Sequence, residues 1–314
     1  MEFTLTTLGT ASAHPNVYRY PSAHVFNIHG RLFLVDCGEG AQVQLCRCGI
    51  SFSKIDNIFI SHLHGDHVFG IFGLLSTMSL LGRTAELFIY APKDFASILA
   101  FFLSHFGEGV KFEIHHEVLD YKEPTKIFES KSVEISTFPL NHRIDTYGFL
   151  FKEKEPQPNI IKWKIEPNQL TLREMAQFKQ GGDVTRDNGE ILKCEDYTYI
   201  PYIGRSAAYC FDTAPFAKLP QWIKGVDLLF MEATFAENMA EMAKATNHST
   251  AKQTAGIAVE AGAGKLVIGH YSSRYKDLNV LLDEAKEIFP NTFLANEGMV
   301  FEVPLKKLND TNEE

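Results

Sequence analysis

Cysteine is scarce and irregularly spaced in this chain, which excludes one class of small secreted protein. The five cysteines are an odd number without framework spacing: Cys37, Cys46, Cys48, Cys194 and Cys210. Disulfide-stabilised domains carry paired cysteines at regular spacings, whereas cytosolic proteins keep their thiols reduced. The cysteine pattern therefore predicts free thiols in a cytoplasmic protein.

Long hydrophobic runs are also missing. The longest apolar segment, residues 68–82, has 15 residues and contains glycine and polar side chains, whereas a membrane-spanning helix needs about 20 apolar residues. The first residues, MEFTLTTLGT, lack the basic start and the apolar stretch of a secretory signal. We expect a soluble protein that does not bind membranes.

Positive charge is in the minority. Thirty Lys and Arg stand against 39 Asp and Glu, which gives a formal net charge of −9. This balance excludes nucleic-acid binding by bulk attraction, but it leaves room for a local basic groove or a metal-assisted phosphate site. With 314 residues, of which 45% are hydrophobic, the chain has enough material for one large domain or two modest ones.

Strand-like runs alternate with helical-period segments along most of the chain. The early runs follow one another closely, as in hairpins, and the later ones are separated by helical segments. This order predicts mixed sheets covered by helices. The clearest helical segments are expected at residues 39–48, 69–80, 93–102, 250–261 and 278–288.

One segment departs from this alternation. Residues 153–205 are rich in Pro, Gly, Lys and Glu and contain the turn-rich stretches KEKEPQPN and KQGGDVTRDNG. The composition predicts an inserted arm, with a short helix near residues 170–178, on a single domain that spans residues 1–314. A solvated surface excursion explains the same composition equally well.

The clearest chemical signal is SHLHGDH at residues 61–67. It places four potential metal ligands within six positions: His62, His64, Asp66 and His67. A strand that ends at Ile60 delivers all four to the loop at its carboxyl end, and imidazole and carboxylate groups suit zinc and similar ions. Scattered structural histidines do not produce such a density, so the motif predicts a metal site.

Further ligands are expected at other strand ends, because one loop cannot complete two coordination shells. Four candidates each follow an apolar, strand-like run: Asp36, His142, Asp212 and His270. Taken singly, each has an ordinary structural explanation. Together with the histidine loop they supply enough ligands for a site with two ions.

These motifs, in their order along the chain, resemble the metallo-β-lactamase superfamily. The stretches that carry the resemblance are LVDCGEG, SHLHGDH, FDTAP and GHYSSRY. The complete histidine motif, together with NHSTAKQTA and the late HYSSRY, is more narrowly similar to ribonuclease Z, the endonuclease family that removes the 3′ trailer of precursor tRNA. The similarity covers roughly residues 1–303 and is weak over 153–200. It implies an α+β fold, an αββα four-layer sandwich with two mixed sheets flanked by helices.

The resemblance implies two zinc ions per chain, and manganese is compatible with the same ligand types. The first ion would be bound by three histidines: His62, His64 and His142. The second would be bound by an aspartate and two histidines: Asp66, His67 and His270. Asp212 would bridge both ions, and Asp36 would support a ligand from outside the coordination shell.

The resemblance also implies residues that handle the substrate. Glu232, in LLFMEATF, would orient His248, in NHSTA, which would protonate the departing 3′ oxygen as a general acid. Asp66 would orient the attacking water. Three residues after the last histidine ligand are candidates for RNA binding: Ser272, Ser273 and Arg274.

Two stretches depart from the family pattern. The segment at residues 173–191 is short and lacks the Gly-Pro tip with which the family's arm holds the tRNA elbow. In PNVYRY, Val17 and Tyr20 stand where the family has lysine and asparagine. The elbow contact and the discrimination against CCA-ended tRNA are therefore not implied for this chain.

The residues predict a cytoplasmic, metal-dependent hydrolase. The resemblance implies that it is a zinc-dependent endoribonuclease, homodimeric, that cleaves precursor tRNA and leaves a 3′-hydroxyl. One alternative is a small-molecule phosphodiesterase of the same fold, favoured by the acidic charge balance and the short arm. Another is a non-catalytic RNA-binding scaffold. A scaffold has no need of complete ligand and acid sets, which argues against it.

Overall fold

Two seven-stranded mixed β-sheets pack face to face, with helices on both outer faces. The computed structural model describes residues 1–14 and 16–308, so Pro15 of the PNVYRY stretch lies outside the described residues. Strands and helices are numbered below in chain order. The predicted αββα four-layer sandwich is confirmed.

The first sheet combines hairpins with parallel strands. Its strands are β1 (Phe3–Gly9), β2 (Ala23–Ile28), β3 (Arg31–Cys37), β4 (Ile55–Phe59), β5 (Leu87–Pro92), β6 (Ile114–Leu119) and β19 (Val300–Glu302). They lie in the order β19-β1-β2-β3-β4-β5-β6. β1 to β3 pair antiparallel, and β3 to β6 pair parallel.

The second sheet is built the same way. Its strands are β7 (Thr125–Glu129), β8 (Val133–Pro139), β9 (Tyr147–Glu153), β15 (Ser206–Cys210), β16 (Leu228–Glu232), β17 (Lys265–Gly269) and β18 (Thr292–Leu294). The order is β18-β17-β16-β15-β9-β8-β7. β15 to β18 pair parallel, and β15, β9, β8 and β7 pair antiparallel.

The five predicted helical segments are confirmed, with shifted ends. The first sheet is covered by α1 (Ala41–Arg47), α3 (Ile71–Leu80) and α4 (Phe95–Phe106). The second is covered by α7 (Leu219–Trp222), α9 (Ala251–Ala261) and α10 (Asn279–Ile288). Two short helices, α2 (Gly65–Val68) and α8 (Ala240–Thr246), lie near the carboxyl ends of the strands. Within residues 1–14 and 16–308, no helix has the length and apolar character needed to cross a membrane.

The layer between the sheets is rich in aromatic side chains. Alternation along β2 sends His24, Phe26 and Ile28 toward the second sheet, whereas Ala23 and Val25 face the helices. Phe26 stacks on a phenylalanine of β9, with the ring centroids 4.3 Å apart. The strict period-two pattern therefore fixes which face of each strand reaches the central layer.

Residues 154–205 form an arm with its own small core. The arm contains β10 (Asn159–Ile160), α5 (Leu172–Lys179), β11 (Val184–Thr185), β12 (Ile191–Leu192), α6 (Cys194–Tyr197), β13 (Thr198–Tyr199) and β14 (Tyr202–Ile203). β14 pairs with β20 (Lys306–Lys307) near the end of the described chain. Five buried side chains pack together: Leu170, Phe178, Val184, Leu192 and Cys194. The arm is therefore folded rather than a solvated excursion, and the predicted short helix is α5, capped by Thr171 and Glu174.

A buried ion pair joins the two ends of the arm. Arg205 Nη2 lies 2.7 Å from Glu153 Oε1, and Arg205 Nε donates to Glu153 Oε2 at 2.9 Å. Both side chains are almost completely enclosed. The Glu153 amide also donates to the Arg205 carbonyl at 2.8 Å, so the chain leaves and re-enters the sandwich at adjacent positions.

Candidate active site

The candidate ligands meet at one edge of the sandwich. The histidine loop follows β4, and other residues come from the ends of β3, β8, β15, β16 and β17. A cleft of ≈ 560 Å³ opens there and is lined by candidate ligands and by His248: His64, Asp66, His142, Asp212, His248 and His270. The strand-end rule thus brings together residues that are distant in sequence, because strands of both sheets end at this edge.

The first ligand cluster comprises His62, His64 and His142. His62 Nε2 and His142 Nε2 lie 2.9 Å and 3.4 Å from His64 Nδ1. Burial lowers the pKa of each of these imidazoles. The rings are therefore neutral at physiological pH and can offer lone pairs to a cation.

The second ligand cluster comprises Asp66, His67 and His270. Asp66 Oδ2 lies 3.6 Å from Nε2 of each histidine, and the two Nε2 atoms are 3.4 Å apart. Burial alone would lower the pKa of His67, but neighbouring carboxylates, Asp212 foremost, raise it well above its ordinary value. The carboxylates around His67 therefore create a negative field that attracts a positive charge, whether a proton or a bound cation.

Asp212 lies between the two clusters and turns one oxygen to each. Its Oδ2 is 3.5 Å from His62 Nε2 in the first cluster, and its Oδ1 is 3.1 Å from His270 Nε2 in the second. Among the described residues, no group hydrogen-bonds to Oδ1, although that atom is buried. The donor atoms of each cluster also lie within 4.8 Å of one another. A buried carboxylate with unpartnered oxygen between imidazole nitrogens fits a pair of divalent cations.

Asp36 holds one of the ligands from behind. Its Oδ2 accepts hydrogen bonds from His67 Nδ1 at 2.7 Å and from the Tyr209 hydroxyl at 2.6 Å. Its Oδ1 accepts the Ser61 amide at 2.8 Å. This network turns Nε2 of His67 toward the second cluster, as an outer carboxylate does for a metal-binding histidine. Tyr209, within an apolar run, gave no signal in the sequence.

The backbone is strained at three of these positions. Asp36, Asp212 and His270 have φ values of 55°, 55° and 61°, in the left-handed region that non-glycine residues rarely occupy. Each follows or ends a buried strand, where the chain must turn sharply into the site. Such conformations cost free energy and persist where the surrounding structure enforces them, most often at functional sites.

The loop after β1 contacts a ligand through its backbone. The Ala13 amide donates to Asp66 Oδ2 at 2.8 Å, and Ala13 itself has a φ of 55°. This contact orients the Asp66 carboxylate in the second cluster. A backbone donor has no side-chain signature, so reasoning from residue types did not find it.

Glu232 and His248 form a second constellation beside the clusters. Glu232 is fully buried and accepts from Nδ1 of His248 at 2.9 Å. It also accepts from the Thr213 and Ser249 amides and from the Thr234 hydroxyl. Burial alone would lower the pKa of His248, but the Glu232 carboxylate outweighs it and raises the pKa to about 9. The imidazole is therefore protonated at neutral pH.

The candidate RNA-binding residues lie outside the ligand cleft. Ser273 lines a neighbouring cavity of ≈ 670 Å³ with Arg19 and Tyr18. The Arg274 guanidinium lies over the Phe235 ring, 5.6 Å from its centroid, and Ser272 is half-buried. The cation that does line the ligand cleft is Arg143, which is exposed and which the motif analysis missed.

Comparisons with known proteins place this geometry in context. A family model described as "Anti-Pycsar protein Apyc1" matches residues 3–157. Ribonuclease Z of Bacteroides thetaiotaomicron is 43% identical over 312 residues, which covers 99% of this chain and 98% of that protein. Ribonuclease Z of Cytophaga hutchinsonii is 45% identical over 304 residues, covering 96% and 97%. The crystal structure of the short form of human tRNase Z superposes with a TM-score of 0.70 at 26% identity, covering 96% of this chain and 99% of that one.

Proposed function

The chain belongs to the ribonuclease Z family, and on that basis we propose how its residues carry out the reaction. It is a metal-dependent endoribonuclease of tRNA 3′ processing, so the predicted activity is confirmed. The single observation that links this activity to the site is the position of Asp212, with one oxygen toward each ligand cluster. We further propose that residues 1–314 form one domain that carries the arm.

The two clusters are proposed to hold two zinc ions. His62, His64 and His142 would bind the first and Asp66, His67 and His270 the second, with Asp212 shared between them. This assignment is supported by the distances within each cluster and by the mixture of imidazole and carboxylate donors, which also suits manganese. When bound, two such ions supply Lewis-acid stabilisation of the attacking and leaving oxygens of a phosphodiester.

Side chains of the protein are proposed to orient the attacking water and to supply the proton to the leaving group. Asp66, held by the Ala13 amide, is placed to orient the attacking water. Glu232 fixes Nδ1 of His248, which leaves Nε2 free to protonate the departing 3′ oxygen. Protonation there yields a 3′-hydroxyl on the mature RNA, and general acid catalysis of this kind contributes about 10²–10⁴-fold.

RNA binding is proposed to rest on a few local cations, because the net charge of −9 gives no bulk attraction. Ser272, Ser273 and Arg274 remain the proposed substrate contacts, joined by Arg143 at the cleft. Precursor tRNA is the proposed partner in the cytoplasm, where the five free cysteines stay reduced.

A homodimer is proposed from an exposed apolar face on α3 and α4. Leu80, Phe101 and Phe106 are 87%, 60% and 63% exposed. Phe101 and Phe106 help to line a groove of ≈ 400 Å³ that is almost entirely apolar: Phe72, Gly73, Ser76, Ile98, Phe101, Phe102 and Phe106. Contiguous apolar surface of this kind marks an interaction site, and a second copy of the chain is the proposed occupant.

One experiment tests the reaction. Metal content is measured on protein purified without chelator, and the same preparation is assayed on a tRNA with a 3′ trailer and on bis(p-nitrophenyl) phosphate. We expect two zinc ions per chain and endonucleolytic cleavage that leaves a 3′-hydroxyl. Hydrolysis of the small ester alone would favour a small-molecule phosphodiesterase, and RNA binding without cleavage would favour a scaffold.

A further inference from the structure

We propose that His24 is a positioning residue for the second ligand cluster, where it supports His67 and His270 from behind. The inference rests on the assignment of those two histidines as metal ligands in the proposed function. His24 lies on β2, fully buried in the aromatic layer between the sheets. It touches no substrate and no reacting atom, so any influence on the reaction passes through its neighbours.

Three aromatic rings of the second sheet surround His24. The His24 ring is nearly perpendicular to Phe230, with centroids 4.7 Å apart, and meets Phe211 edge to face at 5.2 Å. Tyr209 lies 5.5 Å from the His24 ring. It is on β15, the strand that Asp212 follows. Edge-to-face contacts are favourable for such rings, so His24 stabilises the positions of Phe211 and Phe230 and packs beside Tyr209.

Two short chains of contacts run from this aromatic group to the second cluster. In one, Tyr209 donates to Asp36 at 2.6 Å, and Asp36 accepts from His67 at 2.7 Å. In the other, Phe211 lies 5.6 Å from the His270 ring. Both chains end on ligands of the second cluster, and neither passes through His62, His64 or His142. Loss of His24 should therefore disturb the second ion more than the first.

Ordinary core packing does not account for a histidine at this place. Among the described residues, neither ring nitrogen of His24 has a hydrogen-bond partner, and the nearby Ser22 hydroxyl also lacks one. Burial, with a smaller contribution from His67 and His270, holds the pKa of His24 well below its ordinary value. The ring is thus neutral, adds no positive charge behind the site, and is enclosed by the rings of Tyr209, Phe211 and Phe230.

The test is a metal titration of chelator-stripped protein, with cobalt absorbance and calorimetry resolving the two binding steps. For His24→Leu we expect the first step to be unchanged and the second to weaken by about 10- to 100-fold, as for other residues that support a ligand from outside the shell. His24→Phe restores an aromatic ring and should recover most of the affinity. If His24→Leu does not fold, His24→Gln, which also removes the ring, takes its place with the same expectation.

Phe26→Leu is the matched control. Phe26 lies two residues along the same strand, on the same face and equally buried, but it stacks on Phe151. It should lower the melting temperature and leave both binding steps unchanged. Equal weakening of both steps in the His24 variants, or no weakening, would overturn the inference. If the unaltered protein binds no metal, the proposed ligand assignment itself fails, which is a different result.

Discussion

Nδ1 of His248 lies between the two carboxylate oxygens of Glu232, 2.9 Å from one and 3.1 Å from the other. The carboxylate is fully buried and accepts three further hydrogen bonds, from the Thr213 and Ser249 amides and the Thr234 hydroxyl, whereas the imidazole lines the cleft. A carboxylate fixed on Nδ1 leaves Nε2 of the imidazole without that partner, on a ring that lines the cleft. This arrangement fits the proposed role of His248 as a proton donor.

Replacing His248 should separate chemistry from metal binding. His248→Ala should retain both ions yet cleave precursor tRNA about 10²–10⁴-fold more slowly, since the ribose 3′ oxygen needs a proton to leave. The loss on bis(p-nitrophenyl) phosphate should be much smaller, because p-nitrophenolate leaves unaided. Single-turnover rates on both substrates provide the measurement. Equal losses on the two would show that His248 binds phosphate or serves the structure.

Asp212→Ala is the contrasting variant, and it should lose metal and activity together. Its carboxylate oxygens face both clusters, at 3.5 Å from His62 and 3.1 Å from His270. Elemental analysis of the purified variant is the measurement. A variant that keeps two ions per chain would contradict the bridging assignment.

The pH dependence of the cleavage rate should report the protonation state of His248, which is hydrogen-bonded to Glu232. Because Glu232 raises the pKa of His248 to about 9, the acid form persists through neutral pH and is lost as pH rises through that value. Cleavage of precursor tRNA should therefore fall at pH above about 9. In Glu232→Gln the raising charge is gone while burial still lowers the pKa, so the decline should move to lower pH. An unmoved decline would assign it to another group.

Arg205→Met should destabilise the protein strongly without touching the site. It leaves the Glu153 carboxylate buried without the guanidinium that lies 2.7 Å away. Removing one partner of a buried pair typically costs about 3–5 kcal/mol, to be measured by urea unfolding. The comparison is Arg186→Ala in the arm, whose pair with Glu174 is more exposed and should cost much less free energy of unfolding, because solvent screens the charges. Equal costs would contradict this ranking.

Charge introduced on the apolar face should produce monomers. Phe101→Lys places a cation in the middle of the groove, where a second copy of the chain would otherwise bury the ring. Sedimentation velocity should show a shift from dimer to monomer, with metal content unchanged. The control is Val43→Lys, at an exposed position of α1, which covers the same sheet. This variant should leave the assembly intact. A monomeric unaltered protein would overturn the dimer proposal.

Sequence reasoning selected candidate ligands that lie together in the structure, because it used a rule that is local. A buried run such as the one before His62 must end at a sheet edge, and side chains that follow it emerge there. The helices were also found from a local pattern, the helical spacing of their apolar residues, with ends displaced by a few residues. Ala13 was missed because a backbone amide leaves no trace in residue type, and Tyr209 because it sits in an apolar strand.

Proximity in sequence to a candidate ligand predicted a residue's place at the site less well than a position at the end of a strand. Arg274 follows His270 by four positions, yet its side chain lies over Phe235 outside the ligand cleft. The left-handed turn at His270, φ 61°, sends the chain in a new direction that the residue types do not specify. In the arm, composition indicated an insertion, but Phe178 and its neighbours are too few and too irregularly spaced to predict a core.

The junction of the arm has a consequence for how this enzyme can be re-engineered. Because Glu153 and Arg205 are hydrogen-bonded neighbours on adjoining antiparallel strands, the distance between the two attachment points does not depend on what is inserted between them. An arm of another length or specificity can be transplanted there while the strand register, and with it the catalytic edge, stays the same. The arm and the edge that carries the ligand clusters are thus separate parts of one scaffold, and each can change without altering the other.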